Sequence, residues 1–146
     1  MVKNDHAFND KVRVFIIVII RYFFDNNDPE LAKKLFLERK DLKLNKSFAE
    51  RYCGKYPVIL LDLSILGGEN RDDFYEYLVR MLYQHYAYHK RFLYSKLSPE
   101  YKSVYDNTIL DIKKADKGAI AFSLNFLCEC YYLATGKRVI ILIDEY

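Results

Sequence analysis

Near the carboxyl end, five consecutive aliphatic residues, Val139-Ile140-Ile141-Leu142-Ile143, run straight into Asp144-Glu145. An uninterrupted aliphatic run of this length suits a strand covered on both faces, as in a parallel sheet. Such a strand delivers the acids that follow it to its carboxyl end, where open α/β sheets bind ligands. Position then divides the work. Asp144 is the candidate to hold a divalent cation or its bound water, and Glu145 the candidate to polarise an attacking water. The same pattern also serves a loop-facing carboxylate with no chemistry, and the residue types leave both readings open.

Other constellations read more simply. His85 and His89 are four apart on a helical stretch and share a face, a spacing that metal sites use. No Glu follows His85 and no third ligand stands nearby, so they read as helix-surface histidines among tyrosines. Cys128 and Cys130 are two apart and point to opposite sides of a helix, which excludes joint ligation or a disulfide; Cys128 goes with the apolar face, and Cys53 has no evident partner. Lys33, Lys34, Arg39, Lys40, Lys43, Lys46, Arg51 and Lys55 outnumber the acids around them, with Phe48, Tyr52 and Tyr56 interspersed. Cations beside aromatics could contact single-stranded nucleic acid. A solvated loop surface explains them without a partner.

The elements that must position Asp144 follow from local signals. Tyr56-Pro57 opens a second apolar strand, Val58 to Leu63, and a loop with Gly67-Gly68 leaves its carboxyl end. Between the strands lie three helix starts. Asn70 caps a helix with Asp72 and Asp73 in its first turn, Ser98-Pro99-Glu100 starts the next, and Asp116 starts the third, which Gly136 closes. The first carries one stripe of Phe74, Leu78, Met81, Leu82, His85 and Phe92, and another of Tyr75, Val79, Tyr83 and Tyr86, so it packs on two sides. Tyr101, Val104, Tyr105, Thr108 and Ile112 line the second, and Ile120, Leu124, Leu127, Cys128 and Tyr131 the third. Upstream, Asp28-Pro29-Glu30 starts a short helix that fades near Arg39, and residues 40–56 read as irregular. From Val12 to Phe24 nearly every position is apolar, and periodicity does not separate strand from helix.

The chain has 146 residues, 51% apolar and 29% charged, enough for one core and too few for two full domains. A net charge of +3 is too small to argue for nucleic acid. Three cysteines at irregular spacing fit a reducing cytosol rather than a disulfide framework. The run from Val14 to Ile20 lies between Arg13 and Arg21, far short of the about 20 apolar residues a spanning helix needs. No export or membrane signal is expected, and the expected location is cytoplasmic.

Asp144-Glu145 after its aliphatic strand is the Walker B pattern of nucleoside triphosphatases. Together with the tyrosine-rich helix before it, Gly136-Lys137-Arg138 leading into that strand resembles the AAA-ATPase-like family of bacterial proteins. Members usually carry a restriction-nuclease-type domain further on. Tyr52-Cys53-Gly54-Lys55-Tyr56-Pro57, continuing through Val58–Leu63 to Ser64, resembles the family's second-strand block. Arg21-Tyr22-Phe23-Phe24-Asp25 with Lys34-Leu35-Phe36 is similar to the end of the helix after its phosphate loop. The resemblance implies ATP and Mg²⁺ as cofactors, Asp144 as the metal acid and Glu145 as the water activator.

The departure is equally specific. A phosphate loop needs Gly-x-x-x-x-Gly-Lys-Ser/Thr, in which amides wrap the phosphates, Lys meets their charge and the hydroxyl holds Mg²⁺. None of the five glycines completes that spacing. Alignment back from Tyr22 puts Val12, Arg13 and Val14 at the Gly-Lys-Ser/Thr positions. Arg13 keeps a charge, Val12 blocks backbone approach, and Val14 offers no oxygen.

The reading is therefore an α/β fold, a partial P-loop NTPase-like parallel sheet with a helical insertion. It is a single incomplete domain over 1–146: helix 12–25, strand 57–64, helical segment 70–135 and Walker B strand 139–144. ATP binding is expected to be weak or absent in this chain, which reads as the middle of a larger domain. The alternatives are a non-catalytic protein-interaction fragment, self-associating through an exposed sheet edge, and a single-stranded nucleic-acid-binding piece. Neither a membrane nor nucleic acid is the expected partner.

Overall fold

The computed structural model describes residues 15–63 and 70–144. The chain divides into two compact units, one formed by Met1–Asp62 with Ile140–Tyr146 and the other by Leu63–Val139.

The first unit begins with a helix over residues 15–24, α1. Its β-branched residues cost only a few tenths of a kcal/mol each in a helix, and packing overrides that preference. Phe23 is buried and forms the centre of a small core with Ala32, Ala49 and Cys53. Phe24 and Phe36 meet the Phe23 ring edge-on, and Phe48 stacks on it at 5.9 Å. Asp28 caps α2, Pro29–Ala32, through the Leu31 amide, and a wider π turn over Lys33–Leu37 continues it.

Residues 40–56 are not all irregular. Lys46–Tyr52 forms α3, capped by the Asn45 side chain on the Phe48 amide. No proline or acidic first turn marks it; Phe48 and Ala49 packing onto the Phe23 core holds it. Gly54 follows at φ +65°, and a Cβ there would approach Pro29 Cα to 3.2 Å. That close approach lets the chain run beside the end of α1, where Phe23 O accepts from Gly54 N–H and Phe24 O from Tyr56 N–H.

Strands β1, Val58–Asp62, and β2, Ile140–Asp144, pair in parallel with register Val58↔Ile140 through Asp62↔Asp144. A parallel pair requires a long crossover, here residues 63–139. The two strands differ from the expectation of equal burial. Val58, Ile59 and Leu61 are buried in β1, whereas Ile141 and Ile143 of β2 are 40% and 53% exposed. Among the described residues β1 alone pairs with it, and β2 presents an alternating pattern, one face half-buried and one in water.

The second unit packs α4 (Arg71–Leu93), a 3₁₀ turn (Tyr94–Lys96), α5 (Pro99–Lys113) and α6 (Lys117–Thr135). Each expected cap is present. Asn70 accepts from the Asp72 and Asp73 amides, Ser98 from Tyr101 and Asp116 from Ala119; Gly136 closes α6 at φ +67°. The core is built on tyrosine: Tyr86, Tyr105 and Tyr131 are buried with Leu93, Ile112 and Leu127. Tyr105 OH donates to Tyr86 O at 2.7 Å, and Tyr86 OH to Ser123 O at 2.6 Å. Burial pushes both phenols far above their ordinary range, so they remain neutral donors.

The helix stripes are narrower and rotated relative to those read from residue type. Phe74 and Val104 are exposed, and α6 turns Ser123, Phe126 and Cys130 inward rather than Leu124 and Cys128. Small polar groups fit because the neighbouring tyrosines need acceptors and room.

Candidate functional site

The site sits at the carboxyl end of the two-stranded sheet. Asp144 is the last residue of β2 and is buried. Its partner in register is Asp62, the last residue of β1. Directly paired residues put their side chains on the same face, with strands about 4.8 Å apart. Two carboxylates are therefore brought together at one edge, Asp62 half-buried and Asp144 buried.

Residue typing alone missed Asp62 as a site residue, although the signal was present. Val58-Ile59-Leu60-Leu61-Asp62 repeats the aliphatic-run-then-acid pattern of Ile140-Ile141-Leu142-Ile143-Asp144. Only the register turns two separate patterns into a pair. Like charges directly opposite repel, and a hard divalent cation, which prefers carboxylate oxygens, would reverse the sign of that interaction. The donor chemistry fits Mg²⁺.

Of the other expected site residues, Arg13 and Glu145 lie outside the described residues, as do Val12, Val14 and the Gly67-Gly68 loop. The basic segment 33–55 is described, and all eight of its cations are exposed. Several meet acids locally: Arg39 with Asp41, Lys33 with Glu38 at 4.0 Å, Lys46 with Glu50 at 3.9 Å. That is the pattern of a solvated surface. Nearby, Asp25 is buried, and its carboxyl is pushed above its usual range by desolvation, against the pull of the Asn27 amide and Arg21.

His89 corrects the reading of surface histidines, because it is buried. Its Nδ1 pairs with Tyr131 OH at 2.5 Å, and the His85 ring stacks on it at 5.6 Å between centroids. The pair belongs to the tyrosine core. Cys128 and Cys130 do face apart, but the fully buried one is Cys130, whose thiol desolvation pushes up to about 12. Among the described residues no group of three or more His, Cys, Asp or Glu could hold a metal ion, and no helix is long and apolar enough to cross a membrane. Two carboxylates can supply only part of a cation's shell.

The model of the family described as Predicted AAA-ATPase matches residues 13–146, almost the whole chain. The chain belongs to that AAA-ATPase-like family. No curated protein matches it, and no solved structure does.

Proposed function

We propose that the sheet edge is the metal half of the family's nucleotide site, with Asp144 holding Mg²⁺, Asp62 supporting it and Glu145 as water activator. The in-register pairing of Asp62 with Asp144 supports this reading most directly. Two carboxylates in register at the carboxyl end of parallel strands would supply part of such a cation's shell.

The phosphate half does not fit. By the family pattern Val12 and Val14 stand where the loop would carry Gly and Ser/Thr, so the sequence offers neither that glycine nor that hydroxyl, and Arg13 alone offers charge. No hydrolytic step is therefore assigned to this chain. It retains weak Mg²⁺ affinity and binds Mg-ATP weakly or not at all. When bound, Mg²⁺ supplies charge neutralisation between the two acids, and the chain's own part is to hold those acids on a rigid edge.

Two titrations test the reading. Water-proton relaxation with Mn²⁺ as probe should show saturable binding that Asp144→Asn abolishes and Asp62→Asn weakens. Isothermal titration with Mg-ATP should give little heat; micromolar affinity would overturn the assignment of a lost phosphate site. Cytoplasmic location and a bacterial source belong to the same proposal, supported by the family resemblance and the cysteine usage.

A further inference from the structure

We propose that the helical unit carries a second binding site, a cleft along α6 that takes a small zwitterion, an α-amino acid with an aromatic side chain. The cleft has a volume of about 650 Å³ and is lined by Asn125, Cys128, Glu129, Tyr132, Arg138 and Val139. Pockets of about 300–1,000 Å³ are the size that small ligands use. Its construction is local. Asn125, Cys128, Glu129 and Tyr132 recur at spacings of three and four along α6, so they form one continuous face. The left-handed turn at Gly136 then brings Arg138 and Val139 to the same cleft.

The charges in this cleft select the ligand. Glu129 is a carboxylate at an exposed position, and one of its oxygens is fixed by Tyr101 OH at 2.7 Å. That hydrogen bond raises the Tyr101 phenol above its ordinary range, so Tyr101 keeps its proton and keeps donating. The second Glu129 oxygen is left to accept from an ammonium. Arg138 presents a guanidinium fork that matches a carboxylate. A plain anion would satisfy Arg138 and meet repulsion from Glu129, and a plain amine the reverse. A molecule carrying both groups answers both residues. The Asn125 amide can donate to or accept from the same polar head.

The remaining wall sets the body of the ligand. Tyr132 is 54% exposed, and its ring would gain contact area under an aromatic side chain. Val139 and the half-buried Cys128, whose thiol is held protonated by desolvation, complete an apolar side. All six lining residues belong to the helical unit, and Asp62 and Asp144 to the other. The inference therefore stands apart from the metal reading.

Selectivity in the full chain provides the test, with L-phenylalanine, 3-phenylpropionate and phenethylamine as probes in ligand-observed NMR titrations. L-Phenylalanine should bind at least about tenfold more tightly than either analogue, a factor worth roughly 1.4 kcal/mol. Glu129→Gln should remove the preference over 3-phenylpropionate, and Arg138→Gln the preference over phenethylamine. Both side chains are exposed, and circular dichroism checks that each variant keeps its helices. Equal binding of the three probes, no saturation by L-phenylalanine at millimolar concentration, or selectivity unchanged in both folded variants overturns the proposal.

Discussion

The two units solve the same problem, burying apolar surface without stranding polar groups, in different ways. In the helical unit three of the largest buried side chains, Tyr86, Tyr105 and Tyr131, are amphipathic, and each of their hydroxyls is hydrogen-bonded. Tyr105 donates to Tyr86 O, Tyr86 to Ser123 O, and Ser123 Oγ to Ile120 O. In the sheet unit the core is a small aromatic cluster around Phe23, while Phe15, Ile16, Ile141 and Ile143 lie half or more in water or nearly so. The contrast teaches where stability and function separate. Helices satisfy their backbone internally and need only one buried face, so three of them close a core. A strand satisfies its backbone only through neighbours, and among the described residues β2 has one, β1.

Several substitutions would break or sharpen that contrast. The largest effect is expected for Leu93→Ala, which empties a fully buried position of the helical unit and should cost about 2–5 kcal/mol in urea unfolding. Ile143→Ala on β2 should cost well under half as much. Equal losses would show that the β2 face is covered after all. Next, Tyr105→Phe removes the donor to Tyr86 O and should cost about 1–3 kcal/mol, since the carbonyl is left buried without it.

Asn70→Ala removes the acceptor of two amides at the start of α4 and should cost about 1 kcal/mol, visible also as fraying in amide exchange. The smallest effect is a pH slope in the sheet unit. The Asp25 carboxyl is raised in the folded chain above its ordinary 3.8, so the native state binds more protons than the unfolded one just above that pH. Stability therefore falls as pH rises from 3.8 through the raised value. Asp25→Asn should flatten that part of the profile in pH-dependent denaturation. An unchanged profile would assign the slope elsewhere.

Legibility followed the range of the interactions. The capping residues Asp28, Asn70, Ser98, Asp116 and Gly136 act within three or four residues of themselves, so the helix starts and the α6 stop were readable from the chain. Helix α3 was not, because its Asn45 cap has no proline or acid behind it and its hold is Phe48 on Phe23. The inward turn of Cys130 and the burial of His89 were equally hidden. The burial of His89 depends on Tyr131 of another helix, whose hydroxyl meets its Nδ1, and the inward turn of Cys130 depends on how α6 packs. The aromatic count announced a packing role for tyrosine but not which hydroxyl meets which carbonyl.

Asp144 shows the division most sharply. Its place after an aliphatic run marked it as the end of a strand and linked the chain to its family, since strand pattern and chain order are written in consecutive residues, whereas the exposure of Ile141 and Ile143 was not. That none of the five glycines completes a phosphate-loop spacing was equally plain, because spacing is a property of sequence. That Asp62 stands beside Asp144 is different. The two are separated by the whole helical unit, and only the parallel register brings their carboxylates to one edge. Sequence by itself marked the aliphatic runs that end in acids; tertiary structure decided which of those acids meet, because pairing across strands depends on register and distance in space rather than on neighbours along the chain.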